Sequence, residues 1–179
     1  EEDLKKLTKF LDKKYSDLKS KLGNLGENKL LLITAIQVID EYFDLPFISR
    51  LVSGRYWKSM EPAERLEMIQ TFGTLIVATY ASRFNDYSGE RFKIIEVKPI
   101  KKDRRLVRSH LIKSDGEKVD IDYILHQEND NWKIINVIAD GVSDLSIKRA
   151  DYASVLADSG FGELIKRLDE QIDGFSQSH

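Results

Sequence analysis

The sequence predicts an α+β fold, on three observations. Apolar residues recur at helical spacing as far as Phe84, alternate with polar ones between Phe92 and about Val142, then return to helical spacing. Turn residues punctuate the middle section, with Asp115-Gly116 and the Asn129-Asp130-Asn131 loop joining consecutive extended runs. Helices therefore precede and follow a four-stranded antiparallel meander, and their apolar stripes require burial on one sheet face. The boundaries expected are one domain over 1–179, with N-terminal helices in 1–84, a sheet in 90–145 and C-terminal helices in 147–173.

Each element has its own warrant. Leu4, Leu7, Leu11, Leu18 and Leu22 among Lys, Asp and Glu predict an amphipathic first helix, broken by Gly23 and Gly26. From about Asn28 to Tyr42 the chain is apolar on most sides, as in a helix covered from several directions, and Pro46 interrupts it. Leu45 to Trp57 reads as a short helix with one apolar face. Pro62 fits the first turn of a long helix carrying Leu66, Ile69, Phe72, Ile76, Tyr80 and Phe84. Strands are predicted over Phe92–Val97, Leu106–Ile112, Val119–Leu125 and Trp132 to about Val142, with Gly141 bulging or bending the last. In the third strand Val119, Ile121, Tyr123 and Leu125 share one face and Asp120 and Asp122 the other, so one face is buried and one wet. Tyr152, Val155 and Leu156 mark a helix ended by Gly160, and Leu164, Ile165, Leu168 and Ile172 a second.

Composition narrows the function. In 179 residues, 41% are apolar and 32% charged, a globular mixture able to bury a real core. A net charge of -2 advertises no nucleic-acid partner. The absence of Cys removes thiolate and cysteine-zinc chemistry and leaves the redox compartment open. The chain begins Glu1-Glu2-Asp3-Leu4 without Met or a basic-then-apolar leader, as either a processed mature form or a trimmed chain would. The apolar stretch Leu30 to Ile39 is far short of the about 20 residues a membrane span needs.

No catalytic constellation stands out. His110, His126 and the terminal His179 lack metal-ligand spacing, and Ser159-Gly160-Phe161-Gly162 neither follows a strand nor matches a phosphate loop, so no metal or nucleotide cofactor is expected. One enzymatic reading remains: Asp140 as base with Tyr80 or Tyr123 as hydrogen-bond donor in an apolar cavity, as in an isomerase. Against it, Asp140 at a strand end bonds local backbone. Lys98, Lys101, Lys102, Arg104 and Arg105 read as a solvated hairpin loop, with docking to anionic headgroups or an acidic partner as the alternative. The large apolar groups on every helix are either core or the wall of a pocket for an apolar ligand, and each buried ligand methylene contributes about 0.8 kcal/mol without directional chemistry. A scaffold without ligand, docking through an exposed apolar patch, is the third reading.

Here a resemblance adds what periodicity does not. Tyr42-Phe43-Asp44, Leu51-Val52-Ser53-Gly54-Arg55-Tyr56-Trp57-Lys58 and Pro62-Ala63-Glu64-Arg65 resemble the MlaC-like toluene-tolerance family of bacterial lipid carriers. Trp132, Ile138-Ala139-Asp140-Gly141-Val142-Ser143, Tyr152-Ala153-Ser154-Val155-Leu156 and Gly160-Phe161-Gly162-Glu163-Leu164 fit the same family in order, so the likeness spans about Tyr42 to Leu168. Thr79-Tyr80-Ala81-Ser82-Arg83-Phe84 with Tyr87-Ser88-Gly89-Glu90-Arg91-Phe92 looks closer to its hopanoid-associated branch, HpnM.

The resemblance implies a nuclear-transport-factor-like α+β fold and a processed, monomeric protein of the periplasm with no enzymatic activity. It implies a shuttle that carries a phospholipid or hopanoid between an outer-membrane lipoprotein complex and an inner-membrane ABC transporter with a collar protein, touching membranes only transiently. On that reading acyl chains lie between helices and sheet, and the expected pocket wall is Phe43, Leu51, Val52, Trp57, Phe72, Ile76, Tyr80, Phe84, Tyr123, Leu125, Val137 and Val142. No cofactor is needed for such a component.

Overall fold

The computed structural model describes residues 36–84, 90–129 and 131–177, the side chains of residues 83, 84, 176 and 177 excepted. The predicted first helix and the opening of the second therefore lie outside the described residues.

Helical residues 36–42 (α1) run into Phe43, which bridges Ile134 in parallel, and the Asp44 N–H donates to the Ile134 carbonyl at 3.1 Å. Asp44 then caps α2 (Leu45–Ser53): its Oδ1 accepts from the Phe47 N–H at 2.9 Å, and Pro46 occupies the first turn, where its missing N–H costs nothing. The single helix expected over Leu45–Trp57 ends at Ser53. Gly54 adopts a φ of 56°, which stops the α-helix, and the chain tightens into a 3-10 turn over Gly54–Lys58. Arg65 secures that turn from the next helix, its guanidinium donating to the carbonyls of Trp57 and Lys58, each at 3.1 Å. The long helix α3 (Pro62–Phe84) has the predicted bounds, and Glu64 closes its first turn by accepting from the Glu61 N–H at 2.8 Å.

The sheet has five strands, not four: β1 (Arg91–Lys101), β2 (Arg104–Ile112), β3 (Lys118–Glu128), β4 (Asn131–Ala139) and β5 (Val142–Ser143), in spatial order β1-β2-β3-β4-β5 with every pair antiparallel. The fifth arises because β4 stops at Ala139 and reverses through Asp140 and Gly141, with φ of 48° and 79°, a two-residue turn rather than a bulge. The first strand is also longer than expected. The basic run is therefore no loop: Lys98 and Lys101 lie in β1, Arg104 and Arg105 in β2, and only Lys102 and Asp103 turn. Pro99 is tolerated inside β1 because this strand is an edge.

Ser143 caps α4 (Asp144–Asp158), and Gly160 opens α5 (Gly160–Gln177). In the core α3 lies along α5, α2 along α4, and α4 also meets β4. The helix layer closes around Met68, Phe72, Leu75, Tyr152, Leu164 and Leu168, with the Phe72 and Tyr152 rings edge to face at 6.0 Å. Ile135 joins this layer because a bulge leaves it opposite no β3 residue: Ile124 pairs with Asn136 and Leu125 with Ile134.

Candidate functional site

Strand register sorts the sheet into two unlike faces, since directly opposed residues share a face and alternate residues do not. One face carries apolar rows, Val97–Val107–Tyr123–Val137 across four strands flanked by Phe92–Leu111–Val119 and Ile94–Ser109–Ile121–Ala139, while the row Pro99–Arg105–Leu125–Ile134 is interrupted by the exposed Arg105, whose guanidinium lies over the Trp132 ring at 4.4 Å. Ser109 does not break this surface, because its buried hydroxyl donates to the Ile121 carbonyl at 2.6 Å.

The other face is split. Toward β1 it carries a charge ladder, in which Arg108 meets Glu96 at 3.3 Å and Asp122 at 3.6 Å, with Asp120 exposed beside His110, as the alternation in β3 predicts. Toward β4 the same face turns into the helix layer through Ile124 and His126. His126 is buried, lies against the Phe47 ring at 4.5 Å, and places Nε2 2.7 Å from Asp44 Oδ2.

Tyr123 occupies the centre of the apolar face. It keeps some accessible surface, yet burial pushes its hydroxyl up to about 12 from the ordinary 10.0. Val107 and Ser109, its neighbours on this face, are buried. Leu125 and Val137 beside it are half-buried as well.

The twelve predicted wall residues divide accordingly. Tyr123, Leu125 and Val137 come together on the apolar sheet face. Phe43 reaches its margin through the Ile134 bridge and stacks edge to face on Tyr80, centroids 5.7 Å apart. Val52, Phe72 and Ile76 are closed into the helix layer, and Leu51 and Trp57 are half-buried on α2 and the 3-10 turn. Val142 is 55% exposed on β5, and the Phe84 side chain lies outside those described.

A groove elsewhere was not foreseen. A groove of about 420 Å³ runs between α1, α2 and α3, lined by Ile36, Asp40, Leu45, Ile69, Gln70, Gly73, Thr74 and Val77. Its floor depends on Gly73, where a Cβ would come within 3.1 Å of Leu45 Cδ1. A glycine inside an otherwise regular helical run is the signal that marks such close approach. Val77 stands about one turn before Tyr80 and Leu45 two residues after Phe43.

The acid–base reading meets a different geometry. Asp140 is exposed at the β4–β5 turn, its Oδ1 accepts from the Asp120 N–H at 3.0 Å, and its own N–H donates to the Asp120 carbonyl at 2.8 Å. It caps strand backbone at an exposed turn. Among the described residues no group of three or more His, Cys, Asp or Glu is placed to hold a metal ion, and no helix is long and apolar enough to cross a membrane.

Comparison with known proteins is consistent with this architecture. A family model described as MlaC protein matches residues 9–170. The intermembrane phospholipid transport system binding protein MlaC of Haemophilus influenzae is 24% identical over 164 residues, covering 89% of this chain and 77% of that protein. The solved structure of the phospholipid-binding protein from Ralstonia solanacearum, in complex with a phospholipid, superposes with a TM-score of 0.74 at 20% identity, covering 94% of this chain and 96% of that one. At that identity the likeness establishes the fold.

Proposed function

This chain belongs to the MlaC family, and from that premise we propose that it is a phospholipid-binding carrier that moves its cargo between membranes. The observation that carries the reading is the apolar sheet face: four strands present rows of aliphatic and aromatic side chains, with the half-buried Tyr123 at their centre. Acyl chains lie along Tyr123, Leu125 and Val137, and Phe43 and Tyr80 border them where the sheet margin meets the helices. Binding of this kind needs area rather than directed bonds, at about 0.8 kcal/mol per buried methylene, which is why no short motif announces it.

The setting we propose follows from the family. The protein works in the periplasm, without catalysis or cofactor, between an outer-membrane lipoprotein complex and the collar protein of an inner-membrane ABC transporter. The relatives in the comparisons are phospholipid proteins by name, so phospholipid is the cargo assigned. The hopanoid alternative rests on the residues from Thr79 to Phe92 alone, and apolar walls discriminate weakly, a methylene changing selectivity by about 1 to 3 kcal/mol.

The test is direct. Protein purified from a bacterial host is denatured, extracted with organic solvent and read by mass spectrometry. A phospholipid near one per chain is the expected result, a hopanoid would change the cargo, and a lipid-free protein would sink the carrier reading.

A further inference from the structure

We propose that the β1–β2 hairpin is a docking surface for an anionic phospholipid bilayer. The inference rests on the carrier function for its purpose and on the hairpin itself for its chemistry. Between Arg91 and Ile112 the chain carries eight Lys or Arg against two acidic residues, in a protein whose overall net charge is -2. One of those acids is already engaged, since Glu96 faces Lys98 and Arg108 at 3.8 and 3.3 Å. Among the described residues Lys101 and Lys102, at the hairpin tip, meet no carboxylate in an ion pair.

Apolar side chains stand bare among these cations. Phe92 is 58% exposed, Ile95 49%, Val97 38% and Ile100 48%. Isolated exposed hydrophobics are ordinary, but a run of them along one strand marks a contact surface. Ile95 and Ile100 sit where the β1–β2 register slips, between Ile94 and Glu96 and between Pro99 and Lys101, and so belong to irregularities rather than to the ladder.

The same irregularities select the occupant. An edge strand of 11 residues could in principle accept another strand. Here two register slips, the missing N–H of Pro99 and the lysines at 93, 98 and 101 blunt that edge, as edge protection against strand addition does. What remains is side-chain chemistry: lysines for headgroup phosphates and isoleucines for the interfacial layer, the pairing by which peripheral segments hold to anionic membranes. Val97 also begins the apolar row whose next members are the buried Val107 and the half-buried Tyr123.

The experiment is flotation of the purified full chain with vesicles of phosphatidylglycerol and phosphatidylcholine, against phosphatidylcholine alone, at low and high salt. Binding to the anionic vesicles only, released by salt, is expected. Lys101→Gln with Lys102→Gln should weaken it about 25-fold, at about fivefold per lysine near an anionic surface, and Ile100→Ser should weaken it further at every salt concentration. All these positions are exposed, and lipid extracted from the variants should stay at the wild-type level. Equal binding to neutral vesicles, no loss in the lysine variant, or no vesicle binding beside tight binding to an acidic protein would each overturn the bilayer assignment. Vesicle binding by a wild-type protein that yields no extracted lipid would overturn the carrier reading and leave the docking surface in place.

Discussion

His126 Nε2 lies 2.7 Å from Asp44 Oδ2, and this buried contact ties the start of α2 to the third strand across 82 positions of sequence. The other carboxylate oxygen caps α2 through the Phe47 N–H, and the Asp44 backbone holds Ile134 of β4. One side chain thus fixes where the helix layer leaves the sheet, beside Phe43 at the margin of the proposed site. Removing one partner of such a pair leaves the other buried and unsatisfied. Asp44→Ala should therefore destabilise the protein by about 3 kcal/mol or more, of which about 1 kcal/mol is the lost cap. Asp44→Asn should recover the cap part, because its amide oxygen still accepts from Phe47. In a denaturation cycle the Asp44→Ala and His126→Ala costs should fall well short of additive; additive costs would show that the contact carries no coupling.

On the proposed function some apolar residues hold the fold and others the lipid, and two substitutions separate them. Phe72 is buried against Tyr152 inside the helix layer, so Phe72→Ala should cost about 3 to 5 kcal/mol in denaturant unfolding. Val137 is half-buried opposite Tyr123 on the apolar sheet face, so in the proposed site Val137→Trp should leave the fold intact while occupying cargo space. Displacing about two ligand methylenes weakens binding about tenfold. Lipid extracted from Val137→Trp should drop accordingly, and an unchanged lipid content would move the site off this face.

Much of the fold was legible because local chemistry and tertiary placement agree. Pro62 and the i, i+4 pattern set the bounds of α3, and Asp115-Gly116 marks the β2–β3 hairpin. The β5 strand escaped although Asp140-Gly141 carries the same turn signal, because two residues of strand leave no periodicity to read. The far end of β1 escaped because Pro99 and three lysines read as a loop, which only its place at the sheet edge permits to be strand. Within the site, Val52 and Tyr123 are equally apolar in pattern. Which is sealed in the core and which is half-buried depends on the element packed opposite, information that a 3.6 or 2.0 period does not hold. The Asp44–His126 contact is invisible for the same reason.

The desolvated phenol of Tyr123 makes an alkaline prediction. Its folded value of about 12 exceeds the unfolded 10.0, so between those values the unfolded chain releases a proton that the folded chain keeps. Stability from this group is complete below pH 10 and falls as pH rises toward 12, by about 1.4 kcal/mol per pH unit. Tyr123→Phe should flatten that part of the decline, measured as the denaturant midpoint against pH. A variant that declines in parallel with the wild type would show the phenol to be solvated.

Asp140 gives the sharpest contrast between chemistry and architecture. A general base at this position would make Asp140→Asn inactive in any reaction, whereas the observed geometry assigns the side chain to the Asp120 N–H and the backbone to a positive φ of 48°. Asparagine satisfies both demands, since it accepts through Oδ1 and adopts the left-handed region readily. Asp140→Asn should therefore unfold within about 0.5 kcal/mol of wild type, the range of an ordinary surface change. Asp140→Ala loses the hydrogen bond and meets the left-handed strain together, at about 1 to 3 kcal/mol. Both variants should retain extracted lipid at the wild-type level. An Asp140→Asn protein as unstable as Asp140→Ala would mean that the charge, and not the turn, is what this residue supplies.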